Sequence, residues 1–445
     1  MDRAASCSIL IVGGGVFGLS TALSLAQGRF KSHPEDLLVL DRSATPPEED
    51  AASSDLNKIV RGDYCDPTYA DLAQASVDKW TDDPFWKPYF HKSGIVVAAS
   101  ALGGPGESYV KRSFEQQQRL HETGRSSAVP KMLSDDTLFA SAMAATPANR
   151  TGKRPVAAYR NGASGWAWSR GAMDALFQKC RDVGIRFAAG QVNSLIIEGS
   201  DVRGARTMDG REFRAEELVV LAAGSWTPAI LPDLTRKLKA TGQVLATIQL
   251  TQEEAEVYKR IPVYIDMQSG FYMFPPNDER LLKVALHLEG YINEQPSLGD
   301  KNKVVSLPRT GHFQGSLAEQ IPKASVAALR LELGRVWPDL GRKPFQGTRM
   351  CWYCDTQDND FLIGYHDTYS SLFLATGGSG HAFKFLPVMG DLCLQAIEGT
   401  LPAHLADMWS FSRERREYHP DRQTSKHIPL DVSQFAQQDD LKAHL

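Results

Sequence analysis

Three closely spaced glycines near the start of the chain constrain its fold more than any other feature. Residues 7–12 are almost entirely apolar, which is typical of a buried parallel strand, and residues 19–26 have the pattern of a helix. Between them lies Gly13-x-Gly15-x-x-Gly18. Gly13 permits a tight turn, Gly15 lets a pyrophosphate approach the backbone, and Gly18 lets the helix pack on the strand. The pattern predicts a β-α-β unit that binds a dinucleotide at the N-terminus of its helix.

The next buried strand is followed by a carboxylate. Residues 37–40 are apolar and Asp41 comes directly after them. A carboxylate at this position accepts hydrogen bonds from ribose hydroxyls and repels a 2′-phosphate. The glycine pattern does not separate FAD from NAD. Because residues 377–380 lack the third glycine of a second such pattern, the sequence favours one tightly bound dinucleotide.

Length and composition indicate a globular protein with two domains. The chain has 445 residues, more than the roughly 250–300 at which a single core stops growing. Its 42% hydrophobic and 23% charged residues are near globular averages, and its net charge of −4 gives no reason to expect a nucleic-acid or membrane-surface partner. It contains no apolar run of the length that crosses a bilayer. Six scattered cysteines predict an intracellular protein without a disulfide framework.

The order of apolar runs predicts two interleaved domains, an α/β domain and an α+β domain. Residues 1–92, 151–236 and 347–410 have the parallel-strand pattern of a Rossmann-like nucleotide-binding domain. Residues 93–150 and 237–346 are assigned to a substrate domain with a mainly antiparallel sheet, because residues 244–250 and 283–287 alternate between apolar and polar as strands with one wet face do. The polar segment 411–445 is expected to form a C-terminal arm over the surface.

Several short motifs occur in one order along most of the chain. They are Gly13 to Gly18 with Asp41, residues 55–61, residues 162–166, residues 270–272 through Lys283, residues 350–353 and residues 378–384. In this order they resemble the monomeric sarcosine oxidase family of flavoproteins, which includes pipecolate oxidases, fungal saccharopine oxidases and fructosyl amino acid oxidases (amadoriases). The resemblance implies a Rossmann-like FAD-binding domain interleaved with a substrate domain.

The resemblance also implies that the dinucleotide is FAD and indicates which residues contact it. These residues are Gly13, Gly15, Val16, Phe17, Gly18, Asp41, Arg42, Ser54, Asn57, Lys58, Val192, Ala223, Gly224, Trp226, Cys351, Gly378, Gly380, His381, Phe383 and Lys384.

Cys351 stands where members of the family attach the flavin 8α-methyl group through a thioether. A thiolate is the form of cysteine that makes such a bond. The residue also opens a Cys-x-x-Cys pair with Cys354, which is compatible with a buried inert thiol, a redox disulfide or half of a zinc site. No second pair stands nearby, so we expect flavin attachment and no metal.

Three cations match family residues that act on oxygen or on the substrate. Lys283 corresponds to a lysine that promotes the reaction with O₂, since a cation in a dry site stabilises superoxide as it forms. The alternative is a surface lysine whose stem covers apolar residues. Arg61 and Lys384 correspond to the pair that holds the substrate carboxylate, for which arginine offers a bidentate grip and lysine a point charge. Structural ion pairs are the alternative for both.

His287, Tyr272 and Tyr353 match active-site residues of the sarcosine oxidase type. Amadoriases usually have a glutamate at the position of His287, and this glutamate contacts the sugar-derived part of the substrate. The segment 55–58 and the pair Cys351-Trp352 nevertheless look like the fungal amadoriase branch. A lone histidine in a strand is otherwise more often structural. Because the chain mixes features of both branches, the sequence leaves the substrate's N-substituent open.

The resemblance therefore predicts an FAD-dependent oxidase of a secondary amino acid such as saccharopine, pipecolate or an N-methyl amino acid. A hydride equivalent leaves the carbon next to nitrogen for the flavin, and O₂ becomes H₂O₂. The alternatives are a biosynthetic oxidase whose iminium product closes a ring, deglycation of fructosyl amino acids, a non-catalytic flavin-binding protein, and an NAD-dependent dehydrogenase.

The expected partners are an amino acid and O₂, and the expected state is a monomer, as relatives often are. The last three residues, Ala443, His444 and Leu445, resemble the Ser-Lys-Leu type of peroxisomal address. The sequence thus predicts an intracellular protein, either peroxisomal or cytoplasmic.

Overall fold

A computed structural model of the chain describes residues 6–309, 321–414 and 427–442. Its strands are β1 Ser6–Val12, β2 Leu37–Asp41, β3 Lys58–Val60, β4 Phe90–His91, β5 Ile95–Ala99, β6 Lys131–Met132, β7 Ala157–Asn161, β8 Gly165–Ala167, β9 Arg186–Ala189, β10 Val192–Glu198, β11 Asp201–Thr207, β12 Glu212–Leu221, β13 Leu238–Gln249, β14 Val263–Asp266, β15 Phe271–Met273, β16 Leu281–Leu286, β17 Tyr291–Ile292, β18 Glu294–Pro296, β19 Val304–Ser306, β20 Gly347–Thr356, β21 Leu362–Tyr365, β22 Leu372–Thr376 and β23 Ile428–Pro429. Its α-helices are α1 Val16–Gln27, α2 Pro67–Asp82, α3 Pro105–Glu122, α4 Asp136–Ala142, α5 Ser169–Asp182, α6 Thr227–Ile230, α7 Gln252–Tyr258, α8 Lys323–Val336, α9 Pro338–Gly341, α10 Leu386–Ile397 and α11 Ala403–Trp409.

The smaller of the two large sheets carries the predicted glycine turn. Its centre is parallel and runs β22, β12, β1, β2 and β9, while β10, β11 and β21 extend it by antiparallel pairing. Val12 at the end of β1 lies between Leu221 and Leu40, so the carboxyl ends of three parallel strands meet there. Helices α1, α5 and α10 contribute to the core on one face. This architecture confirms the predicted Rossmann-like domain.

The other sheet has ten strands and is mainly antiparallel. Its order is β23, β17, β13, β16, β15, β14, β5, β7 and β6, and β20 pairs along β13 from Gly347 to Thr356. Helix α8 packs on one face of this sheet together with the apolar side chains of β13 and β16. The mixture of a Rossmann-like domain with a mainly antiparallel domain agrees with the predicted fold class.

The prediction that β13 and β16 have one wet face is wrong. Both strands are almost wholly buried. On one face, Ile248 and Val284 join the core that α8 covers. On the other face, Leu245 and Ala285 lie against residues of β20. Lys283, the polar residue that gave β16 its alternating pattern, is fully buried on this second face.

The domain boundaries stay a prediction, and strand pairing shows where the sequence assignment and the sheets differ. β7 and β20 fall within segments assigned to the nucleotide-binding domain, yet both pair within the ten-stranded sheet. At the C-terminal end, β23 pairs with β17, and the Ala436 amide donates to the Ile321 carbonyl at 2.9 Å. Residues 427–442 therefore lie along the ten-stranded sheet, whereas Arg413 pairs with Asp358 in the segment assigned to the nucleotide-binding domain.

All six cysteines fall within the described residues, where each is buried and none forms a disulfide bond. Among the described helices, none combines the length and the apolar character that a membrane crossing requires. No cluster of side chains suited to holding a metal ion occurs in the described ranges.

Candidate active site

The glycine turn leaves open space where a phosphate would approach. Gly13 has a φ of +106°, and a Cβ on it would lie 2.5 Å from the Ala222 carbonyl oxygen. A Cβ on Gly18 would lie 1.8 Å from the Gly13 oxygen, so helix and turn pack directly on each other. Among the described residues, a Cβ on Gly15 would by contrast meet only Ser53 Oγ, at 3.9 Å. Gly15 caps α1 without any side-chain hydrogen bond, which leaves amide groups and the positive end of the helix for an anion.

The carboxylate at the end of β2 is held by the same turn. Asp41 Oδ2 accepts from the Gly14 amide at 2.6 Å, and Oδ1 accepts from the Ser43 amide at 2.8 Å. Burial raises the pKa of Asp41 in spite of these two hydrogen bonds. Beyond it, Arg42 forms an ion pair with Asp50 and lies over the Trp226 ring, 5.4 Å from its centroid. This end of the site has the groups that a ribose and an adenine ring require.

One cavity joins the dinucleotide turn to the predicted substrate residues. The predicted residues that line it are Gly13, Gly15, Val16, Phe17, Asp41, Arg42, Lys58, Arg61, Val192, Ala223, Gly224, Trp226, Tyr272, His287, Tyr353, Gly378, Gly380, His381, Phe383 and Lys384. Five predicted residues lie behind the wall instead: Gly18, Ser54, Asn57, Lys283 and Cys351. Gly18 packs α1 on β1, and the Ser54 carbonyl accepts from Arg349 Nη1 at 2.6 Å.

Lys283 and Lys58 share one oxygen of a carboxylate that the sequence reasoning left without a role. Asp55 Oδ2 accepts from Lys58 Nζ at 2.5 Å and from Lys283 Nζ at 2.8 Å. Lys283 Nζ also donates to the Asn57 carbonyl at 2.7 Å. The Asn57 side chain is buried, and its amide atoms have no hydrogen-bond partner within the described residues. The alternative of a surface lysine at position 283 is wrong, because its side chain is only 1% exposed.

The charges of Asp55, Lys58 and Lys283 shift the pKa values of the two lysines in opposite directions. Burial alone would raise the pKa of Asp55, but Lys283, Lys58 and Arg349 outweigh it and hold the pKa below its ordinary value. Burial also acts on both lysines. It lowers the pKa of Lys283 to about 8, helped by repulsion from Lys58 and opposed by Asp55. For Lys58, burial is the largest single effect and would lower the pKa, but the attractions of Asp55, Cys351 and Tyr353 and the hydrogen bond to Asp55 together outweigh it and raise the pKa. Lys58 is therefore a fixed cation, whereas the lowered pKa lets Lys283 lose its proton at about pH 8.

Cys351 lies beside this cluster. Its Sγ is 4.0 Å from Lys58 Nζ, and the residue is 4% exposed. Cys354, its neighbour in the Cys-x-x-Cys pair, borders the cavity, and its Sγ lies 3.4 Å from Thr376 Oγ1. Burial raises the pKa of the Cys354 thiol to about 11. Of the two thiols, Cys351 is the one that lies next to the Lys58 ammonium group.

Arg61 and Lys384 line the same cavity although they come from opposite ends of the chain. Arg61 Nη1 donates to Tyr109 Oη at 3.0 Å. Lys384 Nζ donates to Tyr64 Oη and to the His381 carbonyl, each at 2.8 Å. Both cations are about 5% exposed, so they bring positive charge into a largely dry part of the cavity.

His287, Tyr272 and Tyr353 form an aromatic wall at this end. The rings of His287 and Tyr353 are 5.7 Å apart, and Tyr272 pairs with Ala285 on the neighbouring strand. Burial, with smaller contributions from Tyr353 and Asp55, raises the pKa of Tyr272 well above its ordinary value. The tyrosine therefore keeps its proton and can donate it in a hydrogen bond.

Gly380 sets how closely this wall can approach the glycine-rich loop after β22. Its φ is +74°, and a Cβ there would lie 2.4 Å from Tyr353 Cε2 and 2.7 Å from His287 Cε1. The loop therefore touches both rings only because residue 380 has no side chain.

Sequence reasoning missed two residues of this region. Asp55 falls inside the motif at residues 55–61, yet nothing in the sequence shows that Lys58 and Lys283 both donate to it. Tyr64 follows Arg61 by three residues, and this spacing was the one available signal. Their partners lie 228 and 320 residues away in the chain, so only the fold brings them together.

The chain belongs to the family of FAD dependent oxidoreductases called DAO, whose family model matches residues 8–396. It is an FAD-dependent oxidoreductase, and the open turn at Gly15 with the Asp41 carboxylate fits the phosphate and ribose groups of FAD.

Similar proteins include the L-saccharopine oxidase of Schizosaccharomyces pombe, which is 32% identical over 92% of this chain and 94% of that protein. The amino acid oxidase imqH of Aspergillus flavus is 30% identical over 88% of this chain and 92% of that protein. The fructosamine oxidase Amadoriase II of Aspergillus fumigatus has a similar structure, with a TM-score of 0.78, 30% identity and 97% coverage of both chains.

Proposed function

We propose that this chain oxidises the C–N bond of a secondary, N-alkyl amino acid such as saccharopine, pipecolate or an N-methyl amino acid, with O₂ as electron acceptor. The observation that carries the proposal is that Arg61 and Lys384 line one cavity together with the dinucleotide turn. Two cations at about 5% exposure suit an acid group far better than a neutral ligand. The similarity to L-saccharopine oxidase along nearly the whole chain supports the same substrate class.

In this proposal each side chain has one task. Arg61 and Lys384 hold the substrate carboxylate, and His287, Tyr272 and Tyr353 orient the neutral amine. The chemistry that bound FAD supplies is acceptance of a hydride from the carbon next to nitrogen and transfer of the electrons to O₂. Lys283 stabilises the negative charge that develops as oxygen is reduced, because its ammonium group sits in a water-poor site.

Deglycation of fructosyl amino acids is the second candidate, favoured by the structural similarity to Amadoriase II. His287 argues against it, since the amadoriase pattern has a glutamate at that position. An imidazole ring packed 5.7 Å from Tyr353 leaves no carboxylate there to accept hydrogen bonds from sugar hydroxyls.

Release of H₂O₂ from a panel of amines tests the proposal. The panel comprises saccharopine, pipecolate, N-methyl amino acids, fructosyl-lysine and the amide of one N-methyl amino acid. We expect turnover of a secondary amino acid and much slower turnover of its amide, because the amide lacks the charge that Arg61 and Lys384 bind. Turnover of fructosyl-lysine alone would favour deglycation, and turnover of none would remove the proposal.

We further propose that the flavin is attached through Cys351, since this thiol lies 4.0 Å from the permanent cation Lys58. Cys351→Ser is expected to release the flavin on acid precipitation, while Cys354→Ser is expected to retain it. The measurement is flavin fluorescence of the denatured chain after electrophoresis. Colour that stays bound to the Cys351→Ser chain would contradict this attachment site.

The remaining expectations are proposals of the same kind: a monomer, and a peroxisomal address in Ala443, His444 and Leu445. These three residues lie outside the described residues. Disposal of H₂O₂ in peroxisomes would suit the proposed reaction. Deleting the three residues from a fluorescently tagged chain should then disperse a punctate signal.

A further inference from the structure

The two predicted carboxylate-binding cations meet at one tyrosine. Tyr64 is fully buried, and the Arg61 guanidinium lies over its ring, 4.9 Å from the centroid. Its hydroxyl lies 2.8 Å from Lys384 Nζ. One side chain thus contacts Arg61 with its face and Lys384 with its oxygen.

Hydrogen bonds through His381 fix the direction of the Tyr64 hydroxyl. His381 Nε2 lies 2.8 Å from the Asn359 carbonyl oxygen, which only accepts, so Nε2 carries a hydrogen. In the neutral ring Nδ1 is then an acceptor, and Tyr64 donates to it at 2.9 Å. Lys384 only donates, so the Tyr64 oxygen accepts from it. This arrangement satisfies all three contacts at once.

The loop that provides the Asn359 carbonyl is itself anchored. Arg413 Nε and Nη2 donate to the two carboxylate oxygens of Asp358 at 2.9 and 2.8 Å, and Nη2 also donates to the Asp360 carbonyl at 3.2 Å. The hydrogen-bonded chain from Lys384 through Tyr64 and His381 therefore ends on a fixed point of the fold.

We propose that Tyr64 is a positioning residue that sets the location of Lys384 relative to Arg61 and so the fit of the cation pair to a carboxylate. The inference rests on the proposed function. Without the hydroxyl, Lys384 would keep its hydrogen bond to the His381 carbonyl but lose the one that ties it to the residue under Arg61.

The neighbouring Tyr69 offers a matched control. Its ring stacks on that of Tyr64 with centroids 5.5 Å apart, and it is equally buried. Its hydroxyl accepts from Trp409 Nε1 at 3.2 Å and also forms a hydrogen bond with the Asp360 side chain. Removing this hydroxyl therefore changes the same aromatic cluster but leaves the hydrogen bond between Tyr64 and Lys384 in place.

The test measures acetate binding to the holoenzyme through the change in flavin absorbance. Tyr64→Phe keeps the ring beneath Arg61 and is expected to weaken acetate binding about tenfold, the usual effect of losing a hydrogen bond to a charged group. Tyr69→Phe is expected to leave acetate affinity unchanged. In a Lys384→Met background, Tyr64→Phe should have no further effect, because the residue acts through Lys384.

Turnover gives a second readout that a purely structural role would not produce. Tyr64→Phe should raise KM for a secondary amino acid about tenfold with little change in kcat, and should leave KM for the corresponding amide unchanged. The role of Tyr64 would be overturned if Tyr64→Phe and Tyr69→Phe weakened acetate binding equally, or if Tyr64→Phe still weakened it by the full factor in the Lys384→Met background. A wild-type enzyme that binds no acetate would overturn it as well. If acetate behaves as expected but no amino acid is oxidised, the proposed function fails and the positioning role stands.

Discussion

Asp55 shows how a single residue can give two lysines different chemistry. Its Oδ2 accepts from both ammonium groups, yet the pKa of Lys58 is raised while that of Lys283 falls to about 8. The pKa of Lys283 falls because its side chain is only 1% exposed and Lys58 repels its charge, whereas the Lys58 side chain is 18% exposed and is attracted by Asp55, Cys351 and Tyr353. A cation whose charge is present at neutral pH and absent in mild alkali can control the oxygen reaction through pH.

We therefore expect the rate constant for reaction of the reduced enzyme with O₂ to fall as pH rises through about 8, because Lys283 loses its proton there. Lys283→Met should lower that rate constant about a hundredfold and abolish the pH step. Stopped-flow reoxidation at several pH values measures both effects. Lys79→Met, at a lysine paired with exposed Asp391, serves as the control. A pH step that survives in Lys283→Met belongs to another group.

At the scale of elements, the loop after β22 contacts the Tyr353 ring of β20 and the His287 ring that follows β16. Gly380 contacts Tyr353 and His287 so closely that a methyl group has no room. We expect Gly380→Ala to displace both rings and to lower kcat/KM about tenfold or more, with flavin content retained.

Gly334→Ala in α8 is the matched control for Gly380→Ala. Outside the backbone of its own helix, no heavy atom of the described residues lies within 4 Å of the added methyl group, and alanine favours a helix. Activity should remain unchanged there. If Gly380→Ala kept full activity, the close approach of the loop to the two rings would not matter for catalysis.

The sequence predicted the elements whose pattern is local and missed those decided by packing. The strand before Gly13, the helix after it and β22 follow directly from apolar runs and glycines. The burial of β16 on both faces could not be predicted, because Lys283 mimics the polar residue of a wet face. Asp55, which comes from another part of the chain, forms a buried ion pair with Lys283 and so allows the lysine to lie inside the protein. For the same reason the motif residues were recognisable, whereas the hydrogen bonds of Tyr64 were not.

At the scale of the whole molecule, one ion pair ties the C-terminal part of the chain to the loop near the cavity. The side chains of Arg413 and Asp358 are 10% and 4% exposed. Burial would raise the pKa of Asp358, but its hydrogen bonds and charge pairing with Arg413 lower it. The segment after α11 therefore helps to fix the carbonyl that holds His381.

Arg413→Gln should lower the midpoint of thermal unfolding of the holoenzyme, because a buried carboxylate left without its partner costs about 3–5 kcal/mol. The double variant Arg413→Gln/Asp358→Asn should recover part of that loss, since it removes the uncompensated charge. Arg206→Gln, which breaks an exposed pair with Glu212, should leave the midpoint unchanged. An equal shift in all three variants would contradict this account.

The burial of all six thiols has a consequence for the lifetime of the enzyme. Cysteine oxidation requires an accessible thiolate, and burial raises the pKa of Cys7, Cys180 and Cys393 to about 12. If the proposed reaction releases peroxide, Cys354 is a thiol that borders the cavity in which the peroxide would form, and burial raises its pKa to about 11, which disfavours the reactive thiolate. Burial of these thiols would then slow their oxidation by the enzyme's own product.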